Sequence, residues 1–357
     1  MHIPDGYLSP TTCATLYAAA APFWYLALRR MKRILHTHVV PLLSLLAAFS
    51  FVIMMFNLPL PGGTTGHAVG VGIAAIMLGP WGSILAISTA LVIQAIFFGD
   101  GGITTLGANC FNMAIVGSLV AWVVYRVAAG RSPIESRRRI VAAGLAGYVA
   151  INIAALITAI EFGIQPMLYV DASGTPLYAP YPLRIAIPAM MIGHLTIAGL
   201  AEMVVSGGVL AYLQRAEPGL LRASALNARD GANGQTGAAW RLTRPLWIAL
   251  GVLLVLTPLG ILAAGAAWGE WSPKDLSDPA ARVQIEATSA EATLPENVPA
   301  GLERLSSFWT APLPRYAPPY LKSESFGYIM SAMAGTGLII LATLLVSRLL
   351  GKASLRP

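Results

Sequence analysis

The chain has 357 residues, of which 56% are hydrophobic and only 11% charged, and its mean hydropathy is +0.67. Soluble domains carry about 25% charged residues, so this composition excludes an ordinary soluble protein and predicts an all-α, polytopic membrane helix bundle. The net charge of +7 does not indicate a nucleic-acid partner. The basic residues lie in short stretches between apolar runs, as expected of a protein whose partner is the lipid bilayer.

Nine apolar segments are predicted to be helices, seven in a first group and two near the C-terminus. Most have the length of about 20 residues that spans a bilayer core. The third segment is short for a full crossing, and Gly79-Pro80-Trp81-Gly82 predicts a tight turn between it and the fourth. Whether the third segment fully crosses stays open. The segments are 10–28, 38–58, 68–79, 81–98, 104–126, 139–161, 183–213, 245–267 and 326–347.

The charge distribution predicts an N-terminus outside and a C-terminus inside a bacterial inner membrane. In this orientation 17 of the 23 Lys and Arg residues lie in cytoplasmic connections, whereas the last outer loop, 268–325, carries eight acidic residues. No basic region precedes the first apolar run, so the N-terminus is not predicted to be a cleaved signal peptide.

The chain is predicted to consist of two membrane units joined by a linker. Residues 1–213 form the first unit, and residues 214–244, rich in Gly, Ala, Asn and Arg, form a cytoplasmic linker. Residues 245–357 form a two-helix unit. Its extracytoplasmic loop 268–325 contains eight prolines, so we expect irregular structure there.

The first two residues, Met1 and His2, can form a peptide chelate. The terminal amine, the His2 backbone nitrogen and the His2 Nδ1 atom can close five- and six-membered rings around one metal ion and leave a fourth position open. Displacing an amide proton requires a metal that strongly prefers nitrogen, which favours Ni²⁺ and Cu²⁺, with cobalt weaker. The amine must also lose its proton, so binding should weaken in acid.

A second imidazole is the expected fourth ligand, and position favours His67. It follows the glycine-rich stretch 61–66 at the outer end of the third segment, on the same side as Met1. His36 and His38 lie beside a cytoplasmic basic cluster, on the wrong side of the membrane. His194 lies within the seventh segment, about 17 Å below its outer end.

At these residues the sequence resembles the nickel- and cobalt-specific S components (NikM/CbiM type) of energy-coupling factor (ECF) ABC transporters. The similarity covers residues 1–213 and rests on the opening 2–9, the loop 63–67, the stretches 94–102 and 106–113, and His194 with Glu202. It implies a seven-helix bundle in which the N-terminal segment enters the core. Metal is then held by Met1, His2 and His67 in square-planar geometry. Residues 245–347 resemble the small companion subunit (NikN/CbiN-like), fused here.

Other polar residues of the spans allow two interpretations each. Asn109 and Asn112, three residues apart in the fifth segment, either support His67 and the site loop or link helices. His194 and Glu202, eight residues apart, form either a buried polar pair or a coupling contact, because charges within a span usually face the bundle interior. Asp100 either attracts cations towards the site or is simply solvated.

No sequence motif for catalysis is present. A phosphate-binding G-x-x-x-x-G-K-[ST] loop, an H-E-x-x-H motif and a Ser/His/Asp arrangement are all missing from the sequence. The chain is therefore predicted not to be an enzyme and not to bind ATP. The resemblance implies that a transmembrane coupling (T) subunit and cytoplasmic ATPase subunits supply the energy. The alternatives are a stand-alone proton-coupled metal transporter using His194 and Glu202, and a non-transporting metal sensor.

Overall fold

The computed structural model describes residues 1–32, 39–61, 63–222, 236–263, 265–289, 294–317 and 320–352. His36, His38, Gly62 and residues 223–235 of the predicted linker lie outside the described residues. The helices of the first unit are α1 (Pro10–Met31), α2 (Val39–Met54), α3 (Val71–Ile93), α4 (Leu106–Asn109), α5 (Gly117–Ala129), α6 (Arg137–Leu168), α7 (Leu183–Gly193), α8 (Gly199–Ala216) and α9 (Pro218–Arg222). Those of the second unit are α10 (Thr236–Leu256), α11 (Pro273–Ser277), α12 (Pro279–Thr288), α13 (Ala300–Ser306) and α14 (Glu324–Lys352).

Three π-helical segments extend or interrupt the long helices. Gln94–Phe98 continues α3, Cys110–Val116 joins α4 to α5, and His194–Ala198 joins α7 to α8. Such wide turns are uncommon and often occur at functional sites.

The architecture confirms the predicted membrane helix bundle. Within the described residues, six helical stretches are long and apolar enough to cross a membrane by length and composition: Val71–Phe98, which is broken at Gly79, Leu106–Ala129, Arg137–Leu168, Leu183–Ala216, Thr243–Leu262 and Glu324–Leu349. The apolar α2 is shorter, and α1 has 22 residues with two arginines in its last turn. The count of nine crossings and the orientation of the termini remain predictions.

The chain reverses direction at Gly79, within α3. Gly79 has φ 68° and ψ 174°, which is not helical, and Pro80 follows it. Residues on either side of this break reach neighbouring positions of α5: Val71 contacts Gly117, and Ser83 accepts a hydrogen bond from Ser118. Twelve residues of straight helix would separate Val71 and Ser83 by about 18 Å. The predicted turn is therefore present, and the third segment is a short helix, 71–78.

The centre of the first unit is α6, which packs against α5, α7 and α8. Small residues allow this close approach. A Cβ atom on Gly147 would lie 2.6 Å from Ser206 Oγ, and one on Gly163 would lie 2.7 Å from Leu183. Close backbone packing of this kind is typical of membrane helices.

The glycine-rich stretch before His67 forms a short β-hairpin. Strand β1 (Leu58–Leu60) pairs antiparallel with β2 (Thr64–Gly66), with Pro59 opposite Thr65. The backbone N–H of Thr65 also donates to Ala266 O of the C-terminal unit at 3.1 Å, which holds the hairpin from its other edge.

The C-terminal unit packs against the first unit through α10 and α14, both of which contact α2. The expectation of irregular structure throughout 268–325 was wrong, because α11, α12 and α13 lie within it. The reason is the position of the prolines. Pro273 and Pro279 stand at the first position of α11 and α12, where a missing N–H costs nothing, and Ser272 and Asp278 cap these helices.

Candidate metal site

The N-terminal segment lies inside the bundle. Met1, His2 and Ile3 are 3%, 1% and 0% exposed. Asn109 on α4 binds the backbone of Ile3 on both sides: its Oδ1 atom accepts from Ile3 N at 2.8 Å, and its Nδ2 atom donates to Ile3 O at 3.1 Å. The N–H of Gly102 donates to the same carbonyl at 2.9 Å. These bonds satisfy backbone groups that would be costly to bury unpaired.

The His2 ring is buried without a hydrogen-bond partner. Within the described part of the chain, neither Nδ1 nor Nε2 of His2 makes a hydrogen bond. Asp100 Oδ1 lies 3.1 Å from Nδ1, within ion-pair distance when the ring is protonated. Buried ring nitrogens are normally paired, so the His2 ring is a candidate ligand for a bound ion.

The His67 ring lies next to the His2 ring. The two ring centroids lie 5.1 Å apart at an angle of 71°. His67 Nδ1 lies 3.1 Å from Ala68 O, so this nitrogen carries the proton and Nε2 keeps its lone pair. Burial is the largest cause that holds the pKa of His67 well below its usual value, and the nearby His2 ring and N-terminal amine lower the pKa further. His67 is therefore neutral at physiological pH, the state that binds metal.

Glu202 on α8 fixes the segment that follows His67. Its Oε2 atom accepts from the backbone N–H groups of Val69 and Gly70 at 2.7 and 2.8 Å, and its Oε1 atom accepts from Gly72 at 3.2 Å. Ser206 Oγ donates to Oε1 as well, at 3.2 Å. A carboxylate at a helix N-terminus satisfies donors that have no partner within the helix. Glu202 thus holds the start of α3, and with it the backbone position of His67.

His194 and Glu202 are both buried but have different hydrogen-bond partners. His194 Nδ1 bonds Met190 O, four residues earlier, at 2.8 Å, whereas the four donors to Glu202 belong to Val69, Gly70, Gly72 and Ser206. A direct hydrogen bond between these two described residues is therefore not seen, and a coupling contact remains a prediction.

Asn109 and Asn112 have different hydrogen-bond partners. The partner of Asn109 in the structure is the Ile3 backbone of the N-terminal segment, and its predicted support of the site remains a prediction. Asn112 Nδ2 donates to Glu161 Oε2 at 2.8 Å and to Thr158 Oγ1 at 3.1 Å, both on α6. The link between helices is therefore what the structure shows for Asn112.

Two carboxylates next to the N-terminal donors were not among the predicted site residues. Glu270 of the C-terminal unit lies 3.0 Å from the Met1 amine. Asp100, beside His2, accepts hydrogen bonds from Tyr316 of the C-terminal unit and from Gln94. Asp100 is therefore held in place rather than freely solvated. The acidic excess of 268–325 was the available signal for Glu270, but it did not single out one residue.

The donors present suit a metal ion that prefers nitrogen. Among the described residues no group of three or more His, Cys, Asp and Glu side chains could hold a metal. The candidate ligands are instead two imidazoles and the backbone nitrogens of the first two residues. A cavity of about 840 Å³ between the two units reaches His67, and carboxylates line it: Asp5, Asp100, Glu270, Asp275 and Glu324.

Comparison with known proteins assigns the chain to a family. Residues 2–220 match the CbiM family, described as the cobalt uptake substrate-specific transmembrane region, and residues 243–352 match the PDGLE domain. The chain belongs to the CbiM family. Residues 221–242 lie outside both matches, and the exact division into 1–213, 214–244 and 245–357 remains a prediction.

Relatives of this CbiM-family chain are named as metal transport proteins. It is 53% identical to the fused nickel transport protein NikMN of Rhodobacter capsulatus over 95% of both chains. It is 40% identical to the probable fused nickel transport protein LarMN of Lactiplantibacillus plantarum over 96% of both. The cobalt transport protein CbiM of Geobacter sulfurreducens is 34% identical and matches 72% of each chain.

Solved structures resemble the CbiM region as well. A crystal structure of a truncated transition metal transporter is 48% identical, with a TM-score of 0.56, and covers 60% of this chain and 98% of its own. These findings confirm the predicted resemblance, including the fused small-subunit region. The chain is a multi-pass membrane protein and a metal uptake component of the nickel and cobalt transport family, and not an enzyme.

Proposed function

We propose that this chain is the substrate-capture component of an ATP-driven importer of Ni²⁺ or Co²⁺. The ion is bound by the Met1 amine, the His2 amide nitrogen and Nδ1, and the His67 imidazole. One observation carries the proposal: the two buried imidazoles face each other, and the ring nitrogens of His2 have no hydrogen-bond partner among the described residues. The ion is cargo, bound and later released.

The capture step follows from the arrangement of the donors. A cation enters the carboxylate-lined cavity, whose acidic groups raise the local cation concentration. The amine and the amide nitrogen must give up protons as they bind, so capture releases protons and weakens in acid. Nitrogen donors suit both nickel and cobalt, and the planar terminal chelate favours nickel.

Energy for release comes, in this proposal, from a transmembrane coupling (T) subunit and cytoplasmic ATPase subunits, because the sequence contains no phosphate-binding loop of its own. The stand-alone proton-coupled transporter has less support, because no direct hydrogen bond is seen between the described residues His194 and Glu202. It predicts pH-driven uptake by the chain alone in liposomes, which our proposal does not.

The decisive experiment alters the N-terminus. Mass spectrometry first establishes that the mature chain begins at Met1. Nickel and cobalt binding by the metal-free, purified protein is then measured by equilibrium dialysis for the wild type, for His2→Ala and for a chain extended by two residues before Met1. We expect both changes to weaken nickel binding more than about 100-fold, equivalent to about 2.7 kcal/mol.

The matched control is His36→Ala, a histidine predicted to lie on the cytoplasmic side, which should leave the affinity unchanged. Unchanged affinity in the extended chain would exclude the terminal chelate. A visible absorption band typical of square-planar Ni²⁺ in the wild type, lost in His2→Ala, would identify the nitrogen ligands directly.

A further inference from the structure

Four residues of the C-terminal unit, Trp268–Trp271, form a turn that packs into the first unit; we call it the tryptophan turn. Trp268 and Trp271 are buried, and both rings contact Tyr181, at centroid distances of 4.9 and 5.9 Å. Tyr7 Oη donates to Trp271 O at 2.7 Å. Aromatic packing of this kind fixes a short segment with little freedom.

The backbone of the tryptophan turn is closely packed against α6 at Gly269. Gly269 has φ +83°, and a Cβ atom there would lie 2.6 Å from the ring of Phe162 on α6. Only glycine adopts this conformation without strain. The turn is therefore set at one depth in the bundle, and Glu270 at its tip is placed by the aromatic residues on either side.

Glu270 forms an ion pair with the N-terminal amine. Its Oε1 atom lies 3.0 Å from Met1 N, at a point where Met1 is 3% exposed and the Glu270 side chain 21%. A buried ammonium without a partner is strongly unfavourable, and a charge-assisted hydrogen bond compensates for the loss of water. The bond joins residues 269 positions apart, so it ties the C-terminal unit to the first residue of the chain.

We propose that Glu270 is a positioning residue that keeps the N-terminal amine inside the bundle before the cation arrives. This inference deepens the proposed function, on which its purpose rests. Ile3 is anchored independently by Asn109, so loss of Glu270 releases only the first residues. The tryptophan turn thereby prepares one ligand of the site, and the C-terminal unit takes part in assembling it. The incoming cation replaces the carboxylate as partner of the amine nitrogen.

The test measures how often Met1 leaves the bundle, with no metal present. Full-length, metal-free protein in detergent is treated with a soluble aminopeptidase, and loss of Met1 is followed by intact mass. An enzyme of this class must enclose the terminal residue, so cleavage requires Met1 to leave its buried position. We expect Glu270→Gln to accelerate loss of Met1 at least about tenfold, the factor that corresponds to weakening the docked state by about 1.4 kcal/mol.

The matched control is Glu303→Gln, the same chemical change at an exposed position of the same unit, which should cleave like the wild type. Glu270→Asp should fall between the wild type and Glu270→Gln. Gly269→Ala keeps the carboxylate but displaces the turn, and it should accelerate cleavage as well. Melting curves establish that each variant is folded, and Glu270→Asp replaces Glu270→Gln in the comparison if the latter does not fold.

Equal cleavage rates in the wild type and Glu270→Gln would overturn this inference while leaving the proposed function intact. Faster cleavage in Glu270→Gln, combined with absent binding of both nickel and cobalt by the wild type, would overturn the proposed function and leave the positioning role of Glu270 standing.

Discussion

The first unit contains two pairs of buried polar residues, Glu202 with His194 and His2 with His67, which differ in their hydrogen-bond partners. Glu202 is 0% exposed and accepts four hydrogen bonds. His194 is 5% exposed and bonds a helix carbonyl. His2 is 1% exposed, and its ring nitrogens have no hydrogen-bond partner in the described ranges. His67 faces it at 5.1 Å.

The difference teaches that burial alone does not identify a ligand. Histidine and glutamate side chains are rare in an apolar environment, so each of these four residues was a functional candidate from the sequence. Glu202 and the Nδ1 atom of His194 have hydrogen-bond partners within the protein, which favours structural roles. His67 Nδ1 likewise lies 3.1 Å from Ala68 O. The His2 ring differs, and leaving a buried polar group unpaired costs about 1–3 kcal/mol. The lack of a hydrogen-bond partner in the described ranges therefore singles out His2, and His67 is a candidate ligand through its position beside His2.

The largest expected effect distinguishes His67 from His194. His67→Ala removes the ring that faces His2 and should weaken nickel binding more than about 100-fold, or about 2.7 kcal/mol. His194→Ala removes one bond to Met190 and should change the affinity less than about threefold, or about 0.7 kcal/mol. Isothermal titration of both purified variants measures the contrast. A similar loss in His194→Ala would move His194 into the site.

The next effect distinguishes the two asparagines. Asn109→Ala removes both bonds to the Ile3 backbone, and the loss of groups that orient metal ligands typically weakens metal binding 10–100-fold. Asn112→Ala leaves Glu161 without its partner and should lower the melting temperature by a few degrees with little change in nickel affinity. Affinity and melting are measured on the same preparations. Equal losses of affinity in the two variants would show that Asn109 has no special role.

A smaller effect is expected at Glu202. In Glu202→Gln the amide can accept from Val69 and Gly70, but its NH₂ group then faces the N–H of Gly72, which loses its partner. The cost of an unpaired buried donor is about 1–3 kcal/mol. We expect a lower melting temperature and, through the backbone of His67, a loss of nickel affinity of no more than about tenfold, or 1.4 kcal/mol. Abolished binding with normal melting would instead indicate a ligand role.

The smallest effect concerns acid stability of the metal-free protein. The pKa of His67 lies below its usual value of about 6.5 in the folded state. The unfolded chain therefore binds more protons as the pH falls below 6.5, and stability decreases with falling pH by at most about 1.4 kcal/mol per pH unit from this residue. His67→Gln should make the melting temperature fall less steeply between pH 7.5 and 5.5. An identical slope would contradict this account.

The sequence by itself determined the membrane character, most helix positions and the kind of donor. The hydropathy of a membrane span is a sum over about 20 residues, so the positions of α8 and α14 can be predicted from composition alone. The turn at Gly79–Pro80 can be predicted from the local chemistry of these two residues. His2 and His67 could be singled out because the donor types of a terminal chelate are covalent features of the chain. Their relative position was an expectation from resemblance, and the structure places their rings 5.1 Å apart.

Only the tertiary structure decided which partners each polar residue has. Helical spacing predicted His194 and Glu202 on one face, and the structure gives them different hydrogen-bond partners. The prolines of 268–325 predicted irregular structure, but Pro273 and Pro279 stand at helix starts. The contact between Glu270 and Met1 joins residues 269 apart. Such contacts depend on how apolar surfaces pack over the whole chain, since packing, not local propensity, brings distant residues together.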